Sequence, residues 1–196
     1  MTVVTGSGLT MIASSRPAKL TYRDYLLLPE DGRRHELIGG EHFVTPSPTL
    51  KHQIALGNLY RLLCPFVRER QLGLVLLSPF DVVLSFEDVV EPDLLFVSRE
   101  RLGVLGEKAA HGAPDLAVEI LSPSSRRKDE VLKRALYERH GVSEYWIVDP
   151  GRREVRTYRA SLRGLRRTAV VSAASGDRLE SPLFPGLSLA VSEIFE

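Results

Sequence analysis

Glu119 is a lone carboxylate inside Leu116-Ala117-Val118-Glu119-Ile120-Leu121, a run that is otherwise apolar. An ionised carboxylate among buried side chains is costly unless a cation or hydrogen bonds compensate it. Asp93 opens a second apolar run, Asp93-Leu94-Leu95-Phe96-Val97, and Lys133 lies in the helical segment that follows Glu119. Two carboxylates drawn close together repel and are stabilised by a divalent cation. Oxygen-only donors suit Mg2+ or Mn2+. Such an ion polarises a phosphodiester and lowers the pKa of an attacking water. A lysine beside it can orient that water or neutralise charge developing on phosphate. Asp129, Lys133 and Tyr137 are spaced by four and share one helix face. A helix crossing back over a sheet can carry that face toward Glu119. On spacing alone, a plainer reading outweighs this one: three independent structural residues, with Lys133 in a surface ion pair.

These residues need elements to position them. Leu116–Leu121 and Tyr145–Val148 are nearly continuous in hydrophobicity, as central strands buried on both faces are. Between them, Ser124 or Ser125 can cap a helix running to about His140, which Gly141 ends. Val131, Leu132, Ala135 and Leu136 give it a packing face. A strand–helix–strand unit of this kind implies a right-handed crossover, so the two runs are expected to pair in parallel within one mixed sheet.

Upstream, Thr21 and Asp24 form a weak capping signature for a short helix to Leu28, where Pro29 stops it. Gly39-Gly40 is a hairpin signal between two short runs, and Glu36 and Glu41 bracket it. From that segment alone, the two acids read as solvated surface carboxylates. Ser47 is a plausible N-cap, with Pro48 at the first helical position of a long helix to about Arg70. Pro65 is expected to kink or split that helix. His52, near its start, reads as a surface or packing residue. Leu74–Leu77 and Phe80–Leu84 read as strands around Ser78-Pro79, and Asp88–Pro92 as a turn. The Ser98–Gly112 stretch reads as a loop or a short irregular helix, and its length suggests a lid or functional loop. Val155–Tyr158 and Thr168–Val171 look like hairpin arms around Gly164. Between Arg152 and Arg167 lie seven arginines against one acid. That bias reads equally as a charge-protected edge or as a flank contacting phosphate. Asp177–Glu180 reads as a turn-rich link, and Leu187–Phe195 as a last strand or short helix on the core.

The chain has 196 residues, 43% hydrophobic and 26% charged, which fits one ordinary globular domain. Residues 1–17, rich in Ser, Thr and Gly, read as a flexible tail, and residues 18–196 as the domain. The net charge of +1 neither demands nor excludes a polyanionic partner. A single cysteine, Cys64, precludes an internal disulfide and a cysteine-ligated zinc site, and reads as a small core hydrophobe. With no basic leader and no long apolar run at the start, a secretory signal and a membrane span are not expected, and the cytoplasm is the expected location.

Several segments taken together resemble the bacterial putative restriction endonuclease family of the PD-(D/E)xK nuclease superfamily. They are His35-Glu36-Leu37-Ile38-Gly39-Gly40-Glu41, Thr45-Pro46-Ser47-Pro48 with His52, Glu91-Pro92-Asp93-Leu94, and Pro114 through Ser125. Asp129, Lys133, Tyr137 and Gly141 through Pro150 complete the set. The resemblance implies an α/β fold with a restriction-endonuclease-like core, a mixed β-sheet flanked by helices. It implies that Asp93 and Glu119 bind Mg2+ or Mn2+. The superfamily's Glu-x-Lys would place lysine at position 121, where this chain has Leu121, so the lysine is expected on the following helix at Lys133. Arg126, Arg127 and Lys128 compete for that role if the helix approaches differently. Glu36 or Glu41 would supply a further acid. The implied activity is metal-dependent hydrolysis of DNA, with Arg126, Arg127, Arg156 and Arg159 contacting the backbone. A chain this small would need a homodimer to cut two strands. An RNA nuclease, or an inactive nucleic-acid-binding or structural protein, are the alternatives.

Overall fold

The computed structural model describes residues 18–196. The expected tail at residues 1–17 lies outside the described residues. Thr21 and Asp24 form a complete capping box for helix α1 (Tyr22–Tyr25). The helix stops short of Leu28 because Leu26 and Leu27, 61% and 83% exposed, have nothing to pack against. Strands β1 (Arg34–Ile38) and β2 (Glu41–Thr45) form the hairpin. Gly39 and Gly40 both take positive φ, at 60° and 77°, as a two-residue turn between twisted strands requires.

Helix α2 (Leu50–Glu69) is capped by Thr49, whose hydroxyl accepts from His52 N at 3.3 Å, and not by Ser47. It also runs unbroken through Pro65. Pro65 lies on the solvent side, so the carbonyl it leaves unpaired can turn to water.

A six-stranded mixed sheet forms the centre, in the order β11-β10-β9-β8-β6-β3. Its strands are β3 (Gly73–Leu77), β6 (Leu94–Ser98), β8 (Leu116–Ile120), β9 (Glu144–Asp149), β10 (Glu154–Ser161) and β11 (Gly164–Ser172). Strands β8 and β9 pair in parallel, Leu116 against Glu144 through Ile120 against Val148. This is the pairing expected from the two apolar runs. Alternation along β8 divides the core. Leu116, Val118 and Ile120 face α2 and the C-terminal segment, against Leu59, Leu63, Phe184 and Ile194. Ala117 faces the other way, with Leu136, Tyr137 and Tyr145. Glu119 shares the parity of Ala117 and therefore points at the crossover helix.

That second face is also covered by a smaller sheet, β2-β1-β5-β4-β7, which adds β4 (Asp81–Ser85), β5 (Asp88–Val90) and β7 (Ala109–His111). Two expectations fail here. The segment expected to turn at Asp88 forms β5, because Val89 and Val90 are fully buried and Asp88 accepts Gly39 N and Ser85 Oγ. The Ser98–Gly112 stretch is wall rather than lid. A 3₁₀-helix (Arg99–Val104) leads to β7, which pairs in parallel with β4, and Arg101 is fixed to Asp115 Oδ1 at 2.8 Å. At the C-terminus, β12 (Arg178–Leu179) pairs with β13 (Leu189–Ala190) before a last 3₁₀-helix, Val191–Ile194. No helix among the described residues is long and apolar enough to cross a membrane.

Gly73 opens β3 where the backbone approaches β6 so closely that a Cβ would run into the Val97 carbonyl. Gly73→Ala is therefore expected to cost about 3 kcal/mol, the range of severe backbone strain. Urea denaturation checks this. A loss no larger than at an ordinary surface position would mean that β3 shifts freely along the edge.

Candidate active site

The crossover helix begins at Arg126, directly after Ser125, one of the two expected caps, whose carbonyl accepts Asp129 N at 3.0 Å, and a turn from Ser122 leads into it. The Ser122 hydroxyl accepts Ser125 N at 3.2 Å, and Ser125 Oγ accepts Ser122 N at 3.2 Å. Residues Lys128–Lys133 then form a π-helical turn before α3 (Arg134–Arg139). Lys128 and Lys133 are five residues apart, which in an α-helix would set them about 140° apart around the axis. The wider π turn brings both onto one side. Both ammonium groups bond Glu36, Lys133 Nζ to Oε1 and Lys128 Nζ to Oε2, each at 2.6 Å.

Glu36 is fully buried on β1, so the expectation of a solvated carboxylate there is wrong. The hairpin's pleat turns Glu36 inward, and Glu91 N and Thr45 Oγ1 add to its ligation. Burial pushes its pKa up, but Lys133 and Lys128 outweigh burial and bring it down to about 2. Glu41 lies beyond the turn and is exposed, lining an open groove with Phe43, Arg127 and Lys128.

Asp93 and Glu119 are brought together by sheet register. Leu94 pairs with Val118, and one step further sets Asp93 opposite Glu119 on the same face. Both line a small cavity with Arg34, His52, Asp129 and Lys133. Glu119 Oε1 accepts Lys133 Nζ and Tyr137 OH, each at 2.7 Å. No donor reaches Oε2 among the described residues. Burial drives the Glu119 pKa up to about 8, opposed by Lys133 and reinforced by Asp129, Asp93 and Glu36. Burial alone would lower Lys133, but Glu119 and Glu36 more than offset it and hold the ammonium protonated. Burial thus raises Glu119 while two lysines lower Glu36, so Glu36 is the more readily ionised of the two partners of Lys133.

Asp93 is satisfied on both oxygens. Oδ1 accepts Arg34 Nη1 at 2.6 Å, and Oδ2 takes Ile120 N at 2.7 Å and the His52 ring at 3.1 Å. Burial raises its pKa, but the His52 bond and the Arg34 charge hold it well below the usual carboxylate range. Arg34 and His52 escaped sequence reasoning. His52, one of the residues that carry the resemblance, reads by itself as a surface or packing residue, but it reaches the site because α2 starts beside Asp93, the residue before β6. Arg34 could have been found by the period of two that puts it on the same strand face as Glu36.

The structure brings Glu36, Asp93, Glu119 and Lys133 into one cluster and leaves the four arginines outside it. Arg126 pairs with Asp149 at 2.9 Å and Glu130 at 3.1 Å, and Arg156 with Glu130 at 2.8 Å. Arg159 pairs with Glu144 at 2.8 Å. Arg127 is exposed in the groove beside Lys128. Among the described residues, no group of three or more His, Cys, Asp or Glu side chains is arranged to hold a metal ion. The donor chemistry nevertheless fits a hard divalent cation. Two carboxylates face one cavity, one with a free oxygen, and Mg2+ commonly uses only one or two carboxylates, with water or substrate oxygens for the rest.

No curated protein matches the chain. Among solved structures, it is similar to the crystal structure of a putative nuclease belonging to DUF820 from Anabaena variabilis. The TM-score is 0.76 at 22% identity, covering 90% of this chain and 97% of that one. This likeness establishes a shared fold, the restriction-endonuclease-like α/β core with a mixed sheet flanked by helices. The family model Uma2, described as "Putative restriction endonuclease", matches residues 22–192, from the first helix to the closing 3₁₀-helix, and so takes in every residue of the cluster. By that match the chain belongs to the Uma2 family, a PD-(D/E)xK-related group of nuclease-like proteins.

Proposed function

We propose that the protein is a metal-dependent endonuclease that hydrolyses DNA phosphodiester bonds. The observation that carries this reading is the convergence of Asp93, Glu119 and a buried, protonated Lys133 on one cavity, with Glu36 as the counter-charge behind the lysine. Asp93 and Glu119 would hold Mg2+ or Mn2+. When bound, such an ion supplies a water of lowered pKa and charge stabilisation to phosphate. The chain's own groups have separate tasks. Tyr137 and Lys133 fix the Glu119 carboxyl from one oxygen, leaving the other toward the cavity. Lys133 offers a fixed positive charge that costs no reorganisation when the phosphate gains charge. Lys128 and Arg127, at the adjoining groove, offer positive charge to the strand's backbone. Arg126, Arg156 and Arg159 are proposed as flanking contacts, by exchanging a carboxylate partner for phosphate, and Glu41, at the mouth of the groove, as a further acid. A homodimer would supply the second cut of a duplex.

A second reading, nucleic-acid binding without turnover, draws on one observation: both oxygens of Asp93 are already paired. One experiment separates the two. The protein is incubated with plasmid, single-stranded DNA and RNA, with Mg2+, with Mn2+, or with EDTA. Endonucleolytic cleavage of plasmid that requires the metal is expected. Shifted bands without cleavage in any metal would favour the binding protein, and cleavage confined to RNA would replace the substrate.

A further inference from the structure

Arg34 presents a conflict at the proposed metal site. Its guanidinium donates to Asp93 Oδ1 at 2.6 Å while Oδ2 takes Ile120 N and the His52 ring, so an ion held by Asp93 would compete with bonds already made. The arrangement is incomplete on both sides. Among the described residues, Arg34 Nε is buried with no acceptor, and Glu91 Oε2 is buried with no donor. The two residues are already in contact, since Arg34 Nη2 donates to the Glu91 carbonyl oxygen at 2.7 Å. A buried donor and a buried acceptor, both unsatisfied and on touching residues, each cost free energy that one new bond between them would recover.

We infer that Arg34 is a tethered counter-ion with two docking positions: it neutralises Asp93 in the metal-free protein and moves onto the Glu91 carboxylate when a divalent ion takes Asp93. The inference rests on the metal reading of Asp93 and Glu119 and adds to it a residue that competes with the metal. Without such a cation, the buried and ionised Asp93 would lose the guanidinium that balances it. With it, the site stays closed until an ion strong enough to displace a charge-assisted bond arrives. Glu91 supplies the guanidinium with an acceptor during that exchange, so its donors are not left unpaired.

Mn2+ titration calorimetry on wild type, Arg34→Met, Glu91→Gln and Asp93→Asn tests this directly. Arg34→Met removes the competitor, so the Mn2+ dissociation constant should fall about ten-fold or more, the equivalent of one charge-assisted hydrogen bond. Glu91→Gln removes the charge of the alternative acceptor and should weaken binding; a dissociation constant equal to wild type would overturn Glu91 as the second docking position. Unchanged or weaker binding by a folded Arg34→Met protein overturns the inference while leaving the metal reading intact, provided Asp93→Asn still loses the ion. Equal binding by wild type and Asp93→Asn, or no binding by any variant, overturns the metal reading and the inference with it. Should Arg34→Met fail to fold, the wild type alone decides. In a ¹⁵N-arginine-labelled sample, the Arg34 Nε–H resonance, assigned by its absence in Arg34→Lys, should shift on saturation with Mg2+. A resonance that does not move sinks the exchange.

Discussion

Replacing Glu36 with glutamine is expected to destabilise the folded protein by about 3–5 kcal/mol, the range for removing one partner of a buried ion pair. Glu36 is the counter-charge for two lysines, one of them Lys133, only 1% exposed. Glutamine keeps the shape but puts an amide N–H₂ where a carboxylate oxygen now faces an ammonium, so one oxygen's worth of acceptors becomes donor against donor. Lys133 keeps Glu119 and Lys128 keeps Thr45, which limits the loss without cancelling it. Urea denaturation at pH 7 measures the difference. A loss below about 1 kcal/mol, the value of an ordinary exposed pair, would mean that the lysines find other partners or water.

The same carboxylate predicts a pH dependence. Its folded pKa of about 2 lies below the ordinary glutamate value, so the folded state binds the proton less tightly than the unfolded chain. The stability it contributes is therefore complete above the unfolded pKa, falls as the pH drops below it, and is gone once the pH passes below about 2. The shift corresponds to about 3 kcal/mol, in line with the mutational range. Wild type should lose stability faster than Glu36→Gln between pH 4.5 and 2, measured as denaturant midpoints. Parallel curves for the two proteins would show that other acids carry the acid transition.

How much of this was legible in the sequence depends on which forces set each feature. The parallel β8–β9 pair was legible because two unbroken apolar runs around a helical segment admit few other arrangements. The Gly39-Gly40 turn was legible because both positions need positive φ. Glu36 was misread because burial of a carboxylate is decided by cations that arrive 92 and 97 residues later, through Lys128 and Lys133. The π turn that aims both lysines at Glu36 has no local signature in Lys128–Lys133, so helical spacing could relate Lys133 to Asp129 and Tyr137 but not to Lys128. Strand β5 was missed for the opposite reason. Its three residues are too few to show a period, and only pairing with β1 and β4 on either side makes them a strand.

Glu119→Gln is expected to abolish metal-dependent cleavage, by at least about a thousand-fold, while leaving the protein folded and as stable as wild type or more so. The two halves of this prediction have different causes. A carboxylate that ligates an ion cannot be replaced by a neutral amide without losing the charge that holds the ion. Stability is spared because burial drives the Glu119 pKa up, so the metal-free protein gains little from a charge at that position. The amide oxygen can still accept from Tyr137 OH and Lys133 Nζ, and Glu36 remains to balance the lysine. Lys133→Ala should behave differently on both counts. It should lower the rate about a hundred- to a thousand-fold, as expected when a group that stabilises transition-state charge is lost. It should also destabilise the fold, because Glu36 and Glu119 then share a buried site without their common cation. Cleavage assays and denaturation on both variants, with circular dichroism to confirm folding, separate these outcomes. Full activity in Glu119→Gln would remove Glu119 from the reaction. A Lys133→Ala protein as stable as wild type would show that water enters to replace the ammonium.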